Sequence, residues 1–277
     1  MFLEVNHSNL FVEPRGEGQP MLMMHGGLGL DHTSYWPTFE PISTQTQLIL
    51  YDHRGNGRSQ RPDSFDGITH DTWIDDADAL RAQLGHEKII LFGHSYGGFL
   101  SQDYAIKYGH HLTGLVLCST APVLDYMDII QANAAARGTA EQLDALEQVF
   151  GRPMADDEEW RKMWNAILPF YFKAFDPELA AEMDQKTSYS GEAWNHCNAH
   201  CLPVFNALPN LAKIKVPTLI ISGADDWITP PGQGGRRIHE AIPNSEFVVF
   251  ENSGHWPFLE EHDRFTAVLT DWLRRLS

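Results

Sequence analysis

Six short, continuous apolar runs recur along this chain, and they constrain its fold more than any other feature. They are PMLMMHGG (20–27), TQLILYDHRG (46–55), EKIILFGHS (87–95), LTGLVLCS (112–119), VPTLIISG (216–223) and SEFVVFEN (245–252). Runs of this length, apolar throughout rather than alternating, are the pattern of strands buried on both faces. Helical stretches separate them. Residues 69–85 place Trp73, Ala77, Leu80 and Leu84 at helical spacing and end at Gly85; residues 96–109 also close on a glycine. Residues 259–276 read as an amphipathic helix. Strands alternating with helices predict βαβ units, and so an α/β fold with a mostly parallel central sheet flanked by helices.

One region breaks the rhythm. Residues 122–210 contain no clear strand and are punctuated by Pro153, Pro169, Pro177 and Pro203. The expectation is an α/β core made of 1–121 and 211–277 with a helical cap, 122–210, inserted between two core strands. An insertion of this size commonly covers a site. A length of 277 residues suits one such unit. The 37 acidic and 20 basic side chains give a net charge of −17, which repels phosphate backbones and argues against nucleic acid as a partner. Three cysteines are too few for a disulfide framework. The opening MFLEVNHSNL lacks the pattern of a signal peptide, and no apolar run reaches the roughly 18 residues that span a bilayer. A soluble, cytoplasmic protein with no membrane partner is expected.

The chemistry concentrates in Gly93-His94-Ser95-Tyr96-Gly97, a G-x-S-x-G between an expected strand and an expected helix. A tight turn there lifts the serine hydroxyl above the sheet, beside a helix N-terminus that favours developing negative charge. Serine needs a base. Of fourteen histidines, His255 stands out: it follows the last expected strand, where a loop hangs over the C-terminal sheet edge. The base in turn needs a carboxylate to fix its tautomer. The loop GADDWITP after the preceding strand offers two, Asp225 and Asp226, side by side. Backbone donors for an oxyanion come from the Tyr96 amide and the Gly26-Gly27 turn.

Taken together, HGG (25–27), YDHRGNGRS (51–59), GHSYGG (93–98), GADDWITP and SGHWPFLE (253–260) resemble the α/β-hydrolase superfamily across the whole core. The acid loop of that superfamily commonly reads G-x-x-D-x-x-x-P, which selects Asp226 over Asp225, and the resemblance assigns the second oxyanion donor to Gly27. The catalytic residues it implies are Ser95, His255 and Asp226. HGGLG and DHRGNGRS are similar to segments of the smaller proline iminopeptidases, with Leu28 in place of a proline and His94 in place of a glycine. Those enzymes hold a substrate's free amino group with cap carboxylates; Glu182, Asp184 and Glu192 are the candidates here. The expected activity is cofactor-free hydrolysis of a small ester, lactone or related acyl compound through an acyl-enzyme, its partner being that small molecule. An iminopeptidase-like aminopeptidase is the alternative. A ligand-binding receptor and a cofactor-free oxygenase or perhydrolase on the same fold are further ones.

Other features carry blander readings. HCNAHC (196–201) sets two histidines and two cysteines at i, i+4, but the pairs lie about 100° apart on a helix. No metal site is assigned to them; a cap helix with some side chains lining the pocket is expected. Arg54 and Arg58 are expected to pair with core carboxylates such as Asp52. The cap aromatics Trp160, Trp164, Phe170, Phe172 and Trp194 are read mainly as packing. Glu192, Trp194 and Trp227 are the candidate substrate contacts.

Overall fold

The apolar runs form strands because only a sheet covered on both faces buries every side chain of so short a segment. The computed structural model describes residues 1–276. Its eight strands are β1 (Phe2–Val5), β2 (Ser8–Arg15), β3 (Gln19–Met24), β4 (Thr46–Tyr51), β5 (Ile89–His94), β6 (Leu112–Cys118), β7 (Thr218–Gly223) and β8 (Ser245–Phe250). They lie in the order β1-β2-β4-β3-β5-β6-β7-β8. From β4 to β8 every neighbouring pair is parallel. All six residues of β5, and all six of β7, are buried.

The two strands the apolar runs do not announce are β1 and β2. They form an antiparallel hairpin at the sheet edge, with β2 antiparallel to β4. Asn6 and His7 turn the hairpin with φ of 46° and 62°, the double left-handed turn that matches strand twist. Of β1 only Val5 is fully buried, and β2 mixes buried with half-buried and exposed positions, so neither carries a continuous apolar run.

Helix α1 (His70–Gln83) starts at a Thr69–Thr72 capping box and packs against α2 (Tyr96–Tyr108), which lies on β5 and β6. Between β6 and β7 run α3 (Met127–Arg137), α4 (Ala140–Gly151), α5 (Asp157–Ile167), α6 (Pro177–Lys186) and α7 (Gly191–His196). An isolated bridge between Val123 and Asn206 joins the two ends of this helical segment, so it leaves and re-enters the sheet layer side by side. Gly29 O accepts from Ser190 N–H at 3.0 Å and from Trp160 Nε1 at 2.8 Å, and Asp31 Oδ2 accepts from Ser188 N–H at 2.7 Å. These bonds clasp the segment over the β3 turn. Then follow α8 (Gly235–Ala241), α9 (Pro257–Glu260) and α10 (His262–Arg274). The amphipathic stretch expected as one helix is thus two, broken at Glu261. Among the described residues no helix is long and apolar enough to cross a membrane.

Candidate active site

Strand β5 ends at His94 and α2 begins at Tyr96, leaving Ser95 alone to make the turn. Its φ of 55° and ψ of −120° lie where a residue with a side chain is strained. The surroundings hold it there. Ser95 N–H donates to Cys118 O at 2.9 Å, and Thr120 Oγ1 donates to Ser95 O at 2.8 Å. The flanking glycines are required by space: a methyl at Gly93 would come within 2.5 Å of Gly97 O, and one at Gly98 within 2.5 Å of Thr120 Oγ1.

His255 and Asp226 meet at the same end of the sheet. Asp226 Oδ2 accepts from His255 Nδ1 at 2.7 Å and from Thr229 Oγ1 at 2.7 Å. Its Oδ1 accepts from the backbone of Ile228 at 3.1 Å and Thr229 at 3.0 Å. Burial alone would raise the Asp226 pKa, but the His255 charge, its hydrogen bond and the Thr229 donors bring it below the ordinary value. A carboxylate only accepts, so His255 Nδ1 carries the proton of this bond, and Nε2 is the ring nitrogen left to take up another. That Nε2 is buried and makes no hydrogen bond within the protein. The His255 main chain is fixed at both ends, its N–H donating to Tyr171 O at 2.7 Å and its carbonyl accepting from His94 Nε2 at 2.9 Å. Asp225, by contrast, is partly exposed and turns to Arg137, 3.3 Å away.

Gly26, Gly27, Ser95, Tyr96 and His255 all line one cavity of about 550 Å³. Gly27 takes a left-handed φ of 47°. Neither the Gly27 nor the Tyr96 amide has a backbone acceptor outside helices and strands among the described residues. The Tyr96 ring is tied down separately: His70 Nε2 lies 2.6 Å from its hydroxyl, and His70 Nδ1 2.6 Å from Asp103 Oδ2. The rest of the lining is mostly apolar. Tyr171 and Trp256 stand beside His255, Trp164 and Trp227 pack against Tyr171, and Ile130, Ala134, Leu143 and Leu146 extend the cavity along α3 and α4.

A family model for the alpha/beta hydrolase fold matches residues 19–262. The chain belongs to the α/β-hydrolase fold family. A relative from Pestalotiopsis fici named proline iminopeptidase PfmaB is 31% identical over 271 residues, covering 95% of each chain. Among solved structures, the enol-lactonase from Burkholderia xenovorans superposes with a TM-score of 0.80 at 23% identity, over 99% of this chain and 100% of that one. An esterase from Exiguobacterium antarcticum gives 0.79 at 25% identity, over 99% and 98%. The fold class read from the apolar runs is therefore the right one, and the protein is a hydrolase.

Several sequence expectations meet a different arrangement in this hydrolase. Trp194 and Trp227 line the cavity, but Glu192 is exposed and does not. Glu192 sits on the first turn of α7, whose buried side presents Ala193 and Trp194 instead. Glu182 is exposed and pairs with Lys186. Asp184 does line the cavity, with its oxygens taken by Arg161, Asn165 and Tyr189. None of His196, Cys197, His200 and Cys201 lines it; the helix loosens into a π-turn over Cys197–Cys201, and His196 Nε2 bonds Ile68 O at 2.7 Å. Arg54 does pair with a buried core carboxylate, but it is Asp76, at 2.7 and 2.8 Å, rather than Asp52, and Arg58 lies over the Phe11 ring with Glu13 3.6 Å away. Asp52 is already occupied by His32, whose Nδ1 is 2.6 Å away, and by the Arg58 amide. Two residues with no sequence signal matter as well. Tyr171 reaches His255 from the helical segment, and Asp31 joins that segment to the β3 turn.

Proposed function

We propose that the protein is a serine hydrolase that cleaves a neutral ester, lactone or related acyl compound without a cofactor. Ser95 attacks the carbonyl carbon while His255 Nε2 takes its proton. Asp226 holds His255 in the required tautomer and stabilises the imidazolium. The amides of Gly27 and Tyr96 stabilise the tetrahedral oxyanion. His255 returns the proton to the leaving group, and water then hydrolyses the acyl-enzyme by the same route. The observation that carries this reading is the buried Asp226–His255 pair, whose His255 has a free Nε2 and lines the same cavity as the strained Ser95.

An aminopeptidase is the second reading, favoured by the name of the Pestalotiopsis relative. The carboxylates of the cavity weigh against it. Asp184 is paired, Glu147 is exposed, and Asp31 is spent on Thr33 and Ser188, with burial and the neighbouring Asp52 raising its pKa. Of the three, only Glu147 has no partner among the described residues, and it is exposed, so a substrate ammonium in the buried apolar part of the cavity would lose its water for no adjacent free anion. The test is a fluorophosphonate label followed by a panel of p-nitrophenyl esters, lactones and prolyl arylamides. Ser95 should be labelled, and esters or lactones turned over best. Turnover of the prolyl arylamide alone would reverse the order of the two readings, and an unlabelled Ser95 in folded protein would end both.

A further inference from the structure

His25 follows the last residue of β3 and is fully buried, yet it does not line the cavity. Its ring makes two hydrogen bonds whose directions are forced. The His53 backbone N–H lies 3.1 Å from His25 Nε2, and a backbone amide only donates. Nε2 therefore holds the lone pair of the neutral ring, and the proton is on Nδ1. Nδ1 lies 3.0 Å from the Gly26 carbonyl oxygen, which only accepts. The His53 ring completes the lock, its Nε2 donating to His25 O at 3.3 Å. Burial, outweighing the attraction of Asp52, holds the His25 pKa down at about 4, so the ring stays neutral and this tautomer persists near neutral pH.

We propose that His25 is a positioning residue of the oxyanion hole: its Nδ1–H anchors the Gly26 carbonyl and so aims the Gly27 amide into the cavity beside Ser95. The inference rests on the serine-hydrolase reading above. The peptide between Gly26 and Gly27 is trans, so its carbonyl and its N–H point in opposite directions. With the carbonyl held against the buried His25 ring, the N–H faces the other way. The turn abuts the nucleophile, since a methyl built on Gly26 would lie 3.0 Å from Ser95 Cβ. Two successive glycines leave this peptide little intrinsic preference for either orientation. Without the His25 bond it is free to rotate, and a rotated peptide presents a carbonyl oxygen to the developing oxyanion in place of a donor. The DHRG segment thereby acquires a task, because His53 fixes the tautomer on which the anchor depends.

The test compares His25→Asn, His25→Gln and His25→Leu in the full chain. Asparagine can reproduce the Nδ1 donor; glutamine reaches the Nε2 position and restores only the contact with His53. Each variant is checked by thermal melting, and kcat and KM are measured with a p-nitrophenyl ester. Affinity for a trifluoromethyl ketone, which forms the tetrahedral adduct, is measured beside the fluorophosphonate labelling rate. His25→Gln and His25→Leu should lose about 10²–10³-fold in kcat, the usual cost of one oxyanion donor, with KM little changed. The ketone should weaken by the same factor, and His25→Asn should stay within about tenfold of the parent on all of these, a split far larger than a structural defect shared by the three would give. Folded His25→Gln or His25→Leu with parental kcat would overturn the inference, as would His25→Asn falling as far as His25→Leu. Absence of labelling in the unmutated protein would instead overturn the serine-hydrolase reading, so the two failures are distinct.

Discussion

Replacing Asp226 by asparagine leaves the side chain almost isosteric, exchanges one acceptor oxygen for an NH₂ donor and removes the charge. Asp226 Oδ1 accepts two backbone amides, from Ile228 and Thr229, so the asparagine oxygen will take that position. Its NH₂ group then faces His255 Nδ1, 2.7 Å away, where Asp226 Oδ2 now accepts. A donor opposite a donor is not tolerated in a site this buried, so the ring moves its proton to Nε2. Nε2–H cannot accept the serine proton. The expected loss in kcat is about 10⁴, or about 5.4 kcal/mol of transition-state stabilisation. Asp225→Asn removes only a partly exposed contact with Arg137 and should change kcat by less than about threefold, since pairs of that kind contribute roughly 0–1 kcal/mol. Steady-state kinetics on a p-nitrophenyl ester, with the labelling rate of Ser95 as a second readout, measure both. An Asp226→Asn variant within tenfold of the parent, or a greater loss at Asp225, would refute the assignment.

Three further outcomes are expected. Thr229→Val removes one of the four donors to Asp226 and should lower kcat about tenfold, as a hydrogen bond to a charged group is worth about 1.5–3 kcal/mol; unchanged kinetics would mean the carboxylate is held without it. Leu143→Trp, on the wall formed by α4, should shift preference from long to short acyl chains in a p-nitrophenyl ester series, and an unshifted profile would put the acyl group elsewhere. Unfolding should also depend on pH. Burial lowers the pKa of His25 to about 4 and of His94 to about 3, below the ordinary 6.5, so the unfolded chain binds protons that the folded one refuses. Stability is then complete above pH 6.5 and falls by up to about 1.4 kcal/mol per pH unit for each histidine as pH drops toward those folded values. Urea titrations at pH 7 and pH 5 giving equal free energies would contradict this.

Much of this protein was legible in one dimension. The strands β3 to β7 are continuous apolar runs because both faces of a parallel sheet are covered, and that requirement is written residue by residue; β8, at the far edge, carries such a run with only Phe250 fully buried. The Ser95 turn was legible too, because only glycines at 93, 97 and 98 leave room for it. The edge hairpin β1–β2 was not, since a strand half exposed to solvent needs no such run. Partners of charged groups were harder still. Asp52 lies two residues from Arg54 in sequence, but the arginine turns to Asp76 on α1 and His32 fills the place beside Asp52. Glu192 and Trp194 are two residues apart on α7, and the turn of the helix decides that one meets solvent and the other the cavity. Sequence alone set the order of the elements and the residue types at their C-terminal edges, since these follow from local spacing and burial. The tertiary structure alone decided which of those residues meet. Hydrogen bonds such as Asp226 to His255, or His53 to His25, join residues 29 and 28 positions apart and depend on where the sheet carries their loops.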